Sequence, residues 1–150
     1  METPTLTKEE RQQAFILLLP AVTISNDPNA EFITTALSSI KVRDALLKAL
    51  TDLNLVTKTI AHDRLFSIGT DTYGEVITDW SADLLGTLAG ISMLQNQPNE
   101  ALMYANAGAD KGNTLSKLIQ RSLTFIPPDK ACSIFTDSMN AVTLDECLED

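Results

Sequence analysis

A series of apolar residues at helical spacing constrains the fold of this chain most strongly. The apolar residues in it are Tyr73, Val76, Ile77, Trp80, Leu84, Leu88 and Ile91. Residues three and four positions apart lie on one face of an α-helix, so this spacing predicts one long amphipathic helix from Tyr73 to about Gln95. A polar turn around Pro98 follows, and then a helix to about Ala109 whose contact face is mostly alanine and leucine. The rest of the chain can be added to this hairpin as further helices.

Helix-start signals divide the remaining sequence. Three capping boxes, each a threonine followed three residues later by glutamate, occur at Thr7, Thr72 and Thr143. Together with the apolar spacing they predict helices at 8–19, 28–38, 40–53, 55–70, 73–95 and 98–109, a helix from 113 or 114 up to Pro127, a helix at 128–139, and a short acidic turn after Thr143.

No segment shows the alternating pattern of a strand. We therefore expect an all-α fold, a compact irregular bundle of seven or eight helices. The whole chain, 1–150, is expected to form a single domain, with 1–6 as a loose tail and 140–150 as an acidic C-terminal segment.

Charge and length narrow the classes of function. Asp and Glu number 20 against 11 Lys and Arg, a formal net charge of −9, which repels nucleic-acid phosphates and anionic lipid. A chain of 150 residues buries enough surface to fold without a metal or a disulfide. Cys132 and Cys147 match no metal-ligand spacing and no redox motif, so we expect reduced thiols and no cofactor.

The N-terminal residues indicate the compartment. They lack the basic region of a secretory signal, and the longest apolar run, Ala14 to Ala21, is interrupted at Pro20 and too short to span a bilayer. We therefore expect a cytoplasmic protein that does not bind membranes.

The middle of the chain resembles two known helical patterns. Leu84-Leu85, Leu88-Ala89, Gln97 to Ala101, Ala105, Gly108 and Leu115 resemble the helical hairpin of tetratricopeptide-like repeats, in which small residues let two helices nest. Followed by Leu118, Leu123 and Pro127-Pro128, with Arg43 to Leu47 upstream, this hairpin is similar to the C-terminal part of an uncharacterised actinobacterial and actinophage family known only as a domain of unknown function. The resemblance covers about half of the chain and implies no catalytic residues.

Four acidic residues, three in the predicted long helix and one two positions before it, form the first candidate site. Asp71, Glu75, Asp79 and Asp83 recur every four residues and would make one acidic stripe, at a cost of a few tenths of a kcal/mol per like-charged pair. A basic partner surface would relieve this repulsion, and so would a divalent cation; the alternative is a solvated helix face. Tyr73 and Trp80 would lie on one side of the same helix, either in the core or, if Trp80 is exposed, as an aromatic anchor of the interface.

Residues suited to catalysis are few. His62, next to Asp63 and Arg64, is the only histidine, and without a nucleophile motif such as G-x-S-x-G a surface histidine is expected. Cys132 is expected as a small buried hydrophobic residue, and Cys147, in an acidic segment, as a poor nucleophile. No glycine-rich loop for phosphate is present.

Three functions are compatible with these observations. The first is a non-enzymatic protein-binding or regulatory module, a monomer or weak homodimer whose partner has a basic surface; it predicts an apolar groove or patch beside acidic residues. The second is an acidic decoy that occupies the site of a DNA-binding protein, which predicts carboxylates spread over one face. The third is a hydrolytic enzyme, which predicts a pocket that joins His62 or Cys132 to carboxylates.

Overall fold

A computed structural model describes residues 6–18 and 27–148, apart from the side chain of Leu17. Within these ranges the chain is helical and contains no strand, so the prediction of an all-α bundle is confirmed. The helices are α1 (Lys8–Leu18), α2 (Ala30–Ala36), α3 (Ile40–Thr51), α4 (Leu55–Tyr73), α5 (Ala82–Leu94), α6 (Pro98–Asp110), α7 (Thr114–Phe125), α8 (Pro128–Asn140) and α9 (Leu144–Leu148).

The two ends of the described chain meet. The capping box of α1 forms as predicted, because the Glu10 N–H donates to Thr7 Oγ1 at 3.1 Å and the Thr7 N–H donates to Glu10 Oε1 at 3.1 Å. The capping box of α9 forms in part, with the Glu146 N–H donating to Thr143 Oγ1 at 3.3 Å. Buried Arg11 then joins the two helices by donating from Nε to the carbonyl of Cys147 at 3.2 Å.

The prediction of a loose tail at 1–6 is wrong for its last residue. Leu6 is buried in the hydrophobic core, and its carbonyl accepts a hydrogen bond from Arg11 Nη1 at 3.1 Å. Residues 1–5 and 149–150, and the segment 19–26, lie outside the described residues.

The predicted long helix from Tyr73 to Gln95 is wrong. Helix α4 ends at Tyr73, and Gly74 follows with φ of 94°, a left-handed conformation that glycine adopts without strain. A 3₁₀ turn at Ile77–Asp79 then leads to Ser81, whose hydroxyl accepts from the Leu84 N–H at 3.2 Å and begins α5. Thr72 therefore lies inside α4 instead of capping a helix. The segment predicted as a short helix, 55–70, belongs to a helix of 19 residues.

Helix α5 is the centre of the bundle. Every residue from Leu84 to Leu94 is buried, and α5 packs against α3, α4, α6, α7 and α8. A helix buried on all sides needs small residues where its neighbours come close. A Cβ at Gly86 would lie 2.8 Å from Asn113 Cγ, and one at Gly108 of α6 would lie 2.9 Å from Ser116 Cβ. Of the predicted contact face of α6, Ala101 and Ala105 are fully buried, whereas Leu102 and Ala109 are only partly buried.

Helix α2 begins later than predicted. It starts at Ala30 instead of Pro28, after Asp27 Oδ1 accepts from the Asn29 N–H at 2.9 Å. The other carboxylate oxygen of Asp27 accepts from Arg64 Nε at 2.8 Å, and both side chains of this ion pair are almost completely buried. The pair joins the start of α2 to the middle of α4.

Two fully buried serines give a matched test of the core. Ser92 Oγ has no hydrogen-bond partner among the described residues, whereas Ser116 Oγ donates to Asn113 Oδ1 at 2.8 Å. An unpaired buried hydroxyl costs free energy, so Ser92→Ala is expected to raise the free energy of unfolding by about 1 kcal/mol. Ser116→Ala should lower it by about 1 kcal/mol, because it removes a buried hydrogen bond. Urea titrations of the two variants test this; equal changes in both would contradict it.

Candidate functional site

The four acidic residues of the predicted stripe do not share a helix face. Asp71 lies in α4, Glu75 follows Gly74, Asp79 lies in the 3₁₀ turn and Asp83 lies in the first turn of α5. The four residues could form one stripe only on a continuous helix, and the turn at 74–81 interrupts the helix. Burial raises the pKa of the Asp83 carboxyl, an effect partly opposed by the charge of Arg43. The prediction of a single acidic helix face is therefore wrong, although Asp71, Glu75 and Asp79 are exposed.

Trp80 is a core residue and not an exposed anchor. Its side chain is fully buried, and Nε1 donates to the carbonyl of Gly74 at 2.8 Å. Its ring packs edge-on against Phe66, with ring centroids 5.1 Å apart, and lies over Gly69, where a Cβ would be 2.6 Å from ring atoms. Tyr73 is partly buried at the edge of the core. The alternative that Trp80 serves in core packing is confirmed.

His62 lies in a polar cavity instead of on the surface, so the prediction of a surface histidine is wrong. It is only 9% exposed and lies between α4 and the start of α6. We call this space of about 250 Å³ the His62 cavity. Its lining residues are Thr59, His62, Asp63, Gln95, Gln97 and Glu100.

Both ring nitrogens of His62 have partners. Nδ1 is 3.1 Å from Asp63 Oδ1, and Nε2 is 3.0 Å from the hydroxyl of Tyr104. A carboxylate can only accept, so in the neutral ring Nδ1–H donates to Asp63 and Nε2 accepts from Tyr104. Burial, with the charges of Glu100 and Asp63, raises the pKa of the Tyr104 hydroxyl and keeps it protonated. No signal in the sequence joined Tyr104 to His62, because the two residues are 42 positions apart.

Both cysteines lie in environments that disfavour the thiolate form. Both are free and buried, and Cys132 Sγ contacts Met93 Sδ at 3.8 Å. Burial raises the pKa of Cys132, to which the charge of Asp129 adds. Burial also raises the pKa of Cys147, with contributions from Asp44 and Glu146. Because the thiolate is the nucleophilic form, these environments disfavour nucleophilic catalysis. The expectation of a small buried residue at Cys132 is confirmed.

A second concave site is an apolar groove between α7 and α8. Its space of about 200 Å³ is lined by Leu115, Leu118, Ile119, Ser122, Ile126, Ala131, Ile134, Phe135, Ser138 and Met139. We call it the α7–α8 groove. Along its edge Leu118 is 55% exposed and Ile134 is 44% exposed. Large apolar side chains thus remain in contact with water beside an apolar recess.

Helical spacing predicts Leu118 and Ile134 on the inner faces of their helices, and this prediction is wrong because both side chains are exposed. A signal for their exposure was present in α7, because Leu118 and Leu123 are five residues apart and so about 140° apart around a helix. One neighbouring helix cannot cover both edges of so wide a face. Leu123 packs at the edge of the core, and Leu118 borders the groove.

Comparison with protein-family models, with curated proteins and with solved structures gave no match. The resemblance to the actinobacterial and actinophage family therefore stays a prediction. In the described part of the chain no helix is both long and apolar enough to cross a membrane. Among the same residues no group of three or more His, Cys, Asp or Glu is arranged to hold a metal ion.

Proposed function

We propose that this protein is a non-enzymatic protein-binding module and that the α7–α8 groove receives an amphipathic helix of its partner. The observation that supports this most is the exposure of Leu118 and Ile134 on the two sides of an apolar recess. Exposed apolar surface that borders a recess is typical of an interaction site, and a groove between two helices suits the apolar face of a third helix.

Charged residues that do not line the groove, but follow its exposed apolar residues along α7 and α8, suggest how a partner helix lies in it. Arg121 follows Leu118 by three residues on α7, and Asp137 follows Ile134 by three residues on α8, so each charge neighbours an exposed apolar residue. Helix α7 carries Lys117 and Arg121 and no acidic residue. The fitting partner therefore has an apolar ridge, acidic residues on the side of α7 and a basic residue near Asp137.

This proposal keeps the class of function expected from the sequence but moves the site. The sequence predicted a partner with a basic surface that binds the acidic stripe. The groove instead requires only a basic residue of the partner near Asp137. The hydrolytic alternative required a pocket with His62 or Cys132 beside carboxylates, and such pockets exist. Yet both ring nitrogens of His62 already contact protein groups, and both thiols have raised pKa values, which favours the binding module over the hydrolytic alternative.

Selection from a library of amphipathic helical peptides, about four turns long, tests the groove directly. We expect selected peptides with apolar residues at spacings of three and four. Ile134→Glu should weaken their binding about tenfold or more, because it places a carboxylate in an apolar contact. Val56→Glu is the control, since Val56 is also an exposed apolar residue but lies on α4. Fluorescence anisotropy measures the affinities.

Two outcomes would count against the α7–α8 groove as the site. The first is equal binding to the wild type and to Ile134→Glu. The second is recovery of no peptide with a helical apolar pattern from a library that yields binders to another helical-groove protein. Both variants change exposed positions, so melting temperatures close to that of the wild type should accompany the binding data.

A further inference from the structure

The α7–α8 groove has a buried floor and an exposed rim. Two residues from each helix are buried and form the floor: Leu115, Ile119, Ala131 and Phe135. Leu118 of α7 and Ile134 of α8 form the rim, where both side chains remain in contact with water. An apolar group that enters between the two helices would therefore be surrounded by apolar side chains.

The connection between α7 and α8 closes one end of the groove. Helix α7 ends at Phe125 and α8 begins at Pro128, and Ile126 between them lines the groove. The Ile126 N–H donates to the carbonyl of Ser122 at 2.9 Å, which holds the connection against the last turn of α7. A closed end favours one large side chain of the partner, inserted beside the connection, as the anchor of its apolar ridge.

The size of the groove selects among apolar side chains. Its space is about 200 Å³, and eight of its ten lining residues are apolar. An apolar cavity of about 150 Å³ lined by leucine, isoleucine and phenylalanine binds benzene. The groove is therefore large enough for an aromatic ring. A valine or leucine side chain is smaller than benzene and would leave part of the lining without contacts.

We propose that the α7–α8 groove binds an aromatic side chain, which serves as the anchor of the partner helix. Two lining residues favour an aromatic ring over a saturated group of similar size, namely Phe135 with its own ring and Met139 with its thioether. Ring–ring and sulfur–ring contacts stabilise an aromatic group beyond the apolar area that it buries. Aromatic side chains that fill a well-packed pocket are also the residues that contribute most to binding at protein interfaces.

Titration of the full chain with phenol and with cyclohexanol tests the aromatic site. The two molecules have the same hydroxyl group and the same carbon count, so aromaticity is the main difference between them. We expect phenol to shift, with saturation, the NMR methyl signals of three residues that line the groove, Ile119, Ile134 and Met139. Phenol should bind about fivefold more tightly than cyclohexanol, because only phenol gains the ring contacts.

A variant that fills the groove locates the phenol. Ser122→Leu should weaken phenol binding about tenfold, because Ser122 lines the groove and the larger side chain occupies part of its space. Ser133→Leu is the matched control, since Ser133 is exposed on α8 but lies outside the groove. Equal phenol affinity in Ser122→Leu and the wild type would overturn the inference, and so would cyclohexanol that binds as tightly as phenol. The comparison of the two ligands uses the wild type alone and holds even if a variant fails to fold.

This inference rests on the proposed function, and helical peptides separate the failure of one from the failure of the other. In a peptide that binds the groove, replacing a central tryptophan or phenylalanine by cyclohexylalanine should weaken binding about fivefold. Groove-binding peptides that bind equally well with leucine at this position would overturn the aromatic anchor and leave the groove as a helix-binding site. Phenol that binds the groove, when selection recovers no helical peptide, would support the aromatic site and count against the proposed function alone.

Discussion

Trp80→Ala is expected to lower the free energy of unfolding by about 3–5 kcal/mol, the usual cost of removing a buried tryptophan. The Trp80 ring is fully buried, packs against Phe66 and lies over Gly69, and its Nε1–H satisfies the carbonyl of Gly74 at the end of α4. The change would therefore leave a cavity and an unpaired carbonyl. Most domains have a free energy of unfolding of only about 5–15 kcal/mol, so the expected loss is a large fraction of the total stability.

Circular dichroism during denaturant unfolding measures this effect, because the variant has no tryptophan to report by fluorescence. Tyr73→Ala is the comparison, since Tyr73 lies at the edge of the core and should cost less. Gly69→Ala tests the same contact from the other side, as its Cβ would meet the Trp80 ring. A loss below about 1 kcal/mol for Trp80→Ala would place the residue at the surface and contradict the turn at 74–81.

Arg64→Met is expected to destabilise the protein by about 3–5 kcal/mol, because it leaves the Asp27 carboxylate buried without its partner. The Arg64 Nε to Asp27 Oδ2 distance is 2.8 Å and both side chains are almost completely buried. Replacing both, as Asp27→Leu with Arg64→Met, should cost less than Arg64→Met alone, since no charge then remains buried. A double variant less stable than the single one would contradict this account.

The same ion pair predicts how stability depends on pH. Burial alone raises the pKa of Asp27, but the hydrogen bonds from Arg64 and the Asn29 N–H, with the charge of Arg64, outweigh it and hold that pKa below its ordinary value. Its contribution to stability is therefore fully present above the unfolded-state pKa, about 3.9, and is lost as the pH falls below that value. Urea unfolding between about pH 3 and pH 6 should show this loss in the wild type and a smaller loss in Asp27→Asn.

Local sequence signals predicted most of the helices. Thr7 with Glu10, Pro98, Gly112 and Pro128 act on the backbone within a few residues, and each marks a helix end in the structure. The small size of the α6 alanines predicted that they lie where two helices pack closely. In the structure Ala101 and Ala105 are fully buried. These features depend on the chain near them, so the sequence is sufficient to predict them.

The predicted site failed where two local signals conflicted. Apolar spacing favoured a continuous helix through residues 73–84, while Gly74 and Ser81 permitted a stop and a new start. Spacing of three residues occurs in a turn as well as in a helix, so periodicity could not decide between them. Burial of Trp80 over Gly69 decides, because the turn directs the ring into the bundle, and the acidic stripe is lost as a consequence.

The sequence by itself determined an acidic, all-helical chain with small residues at the contact between α5 and α6, because composition, periodicity and capping act over short distances. Only the tertiary structure decided which helix is central, which side chains remain exposed and which distant residues meet. The His62 and Tyr104 contact spans 42 positions, and the Asp27 and Arg64 pair spans 37. Such pairs carry no mutual signal in one sequence, since they are brought together by the packing of whole helices around α5.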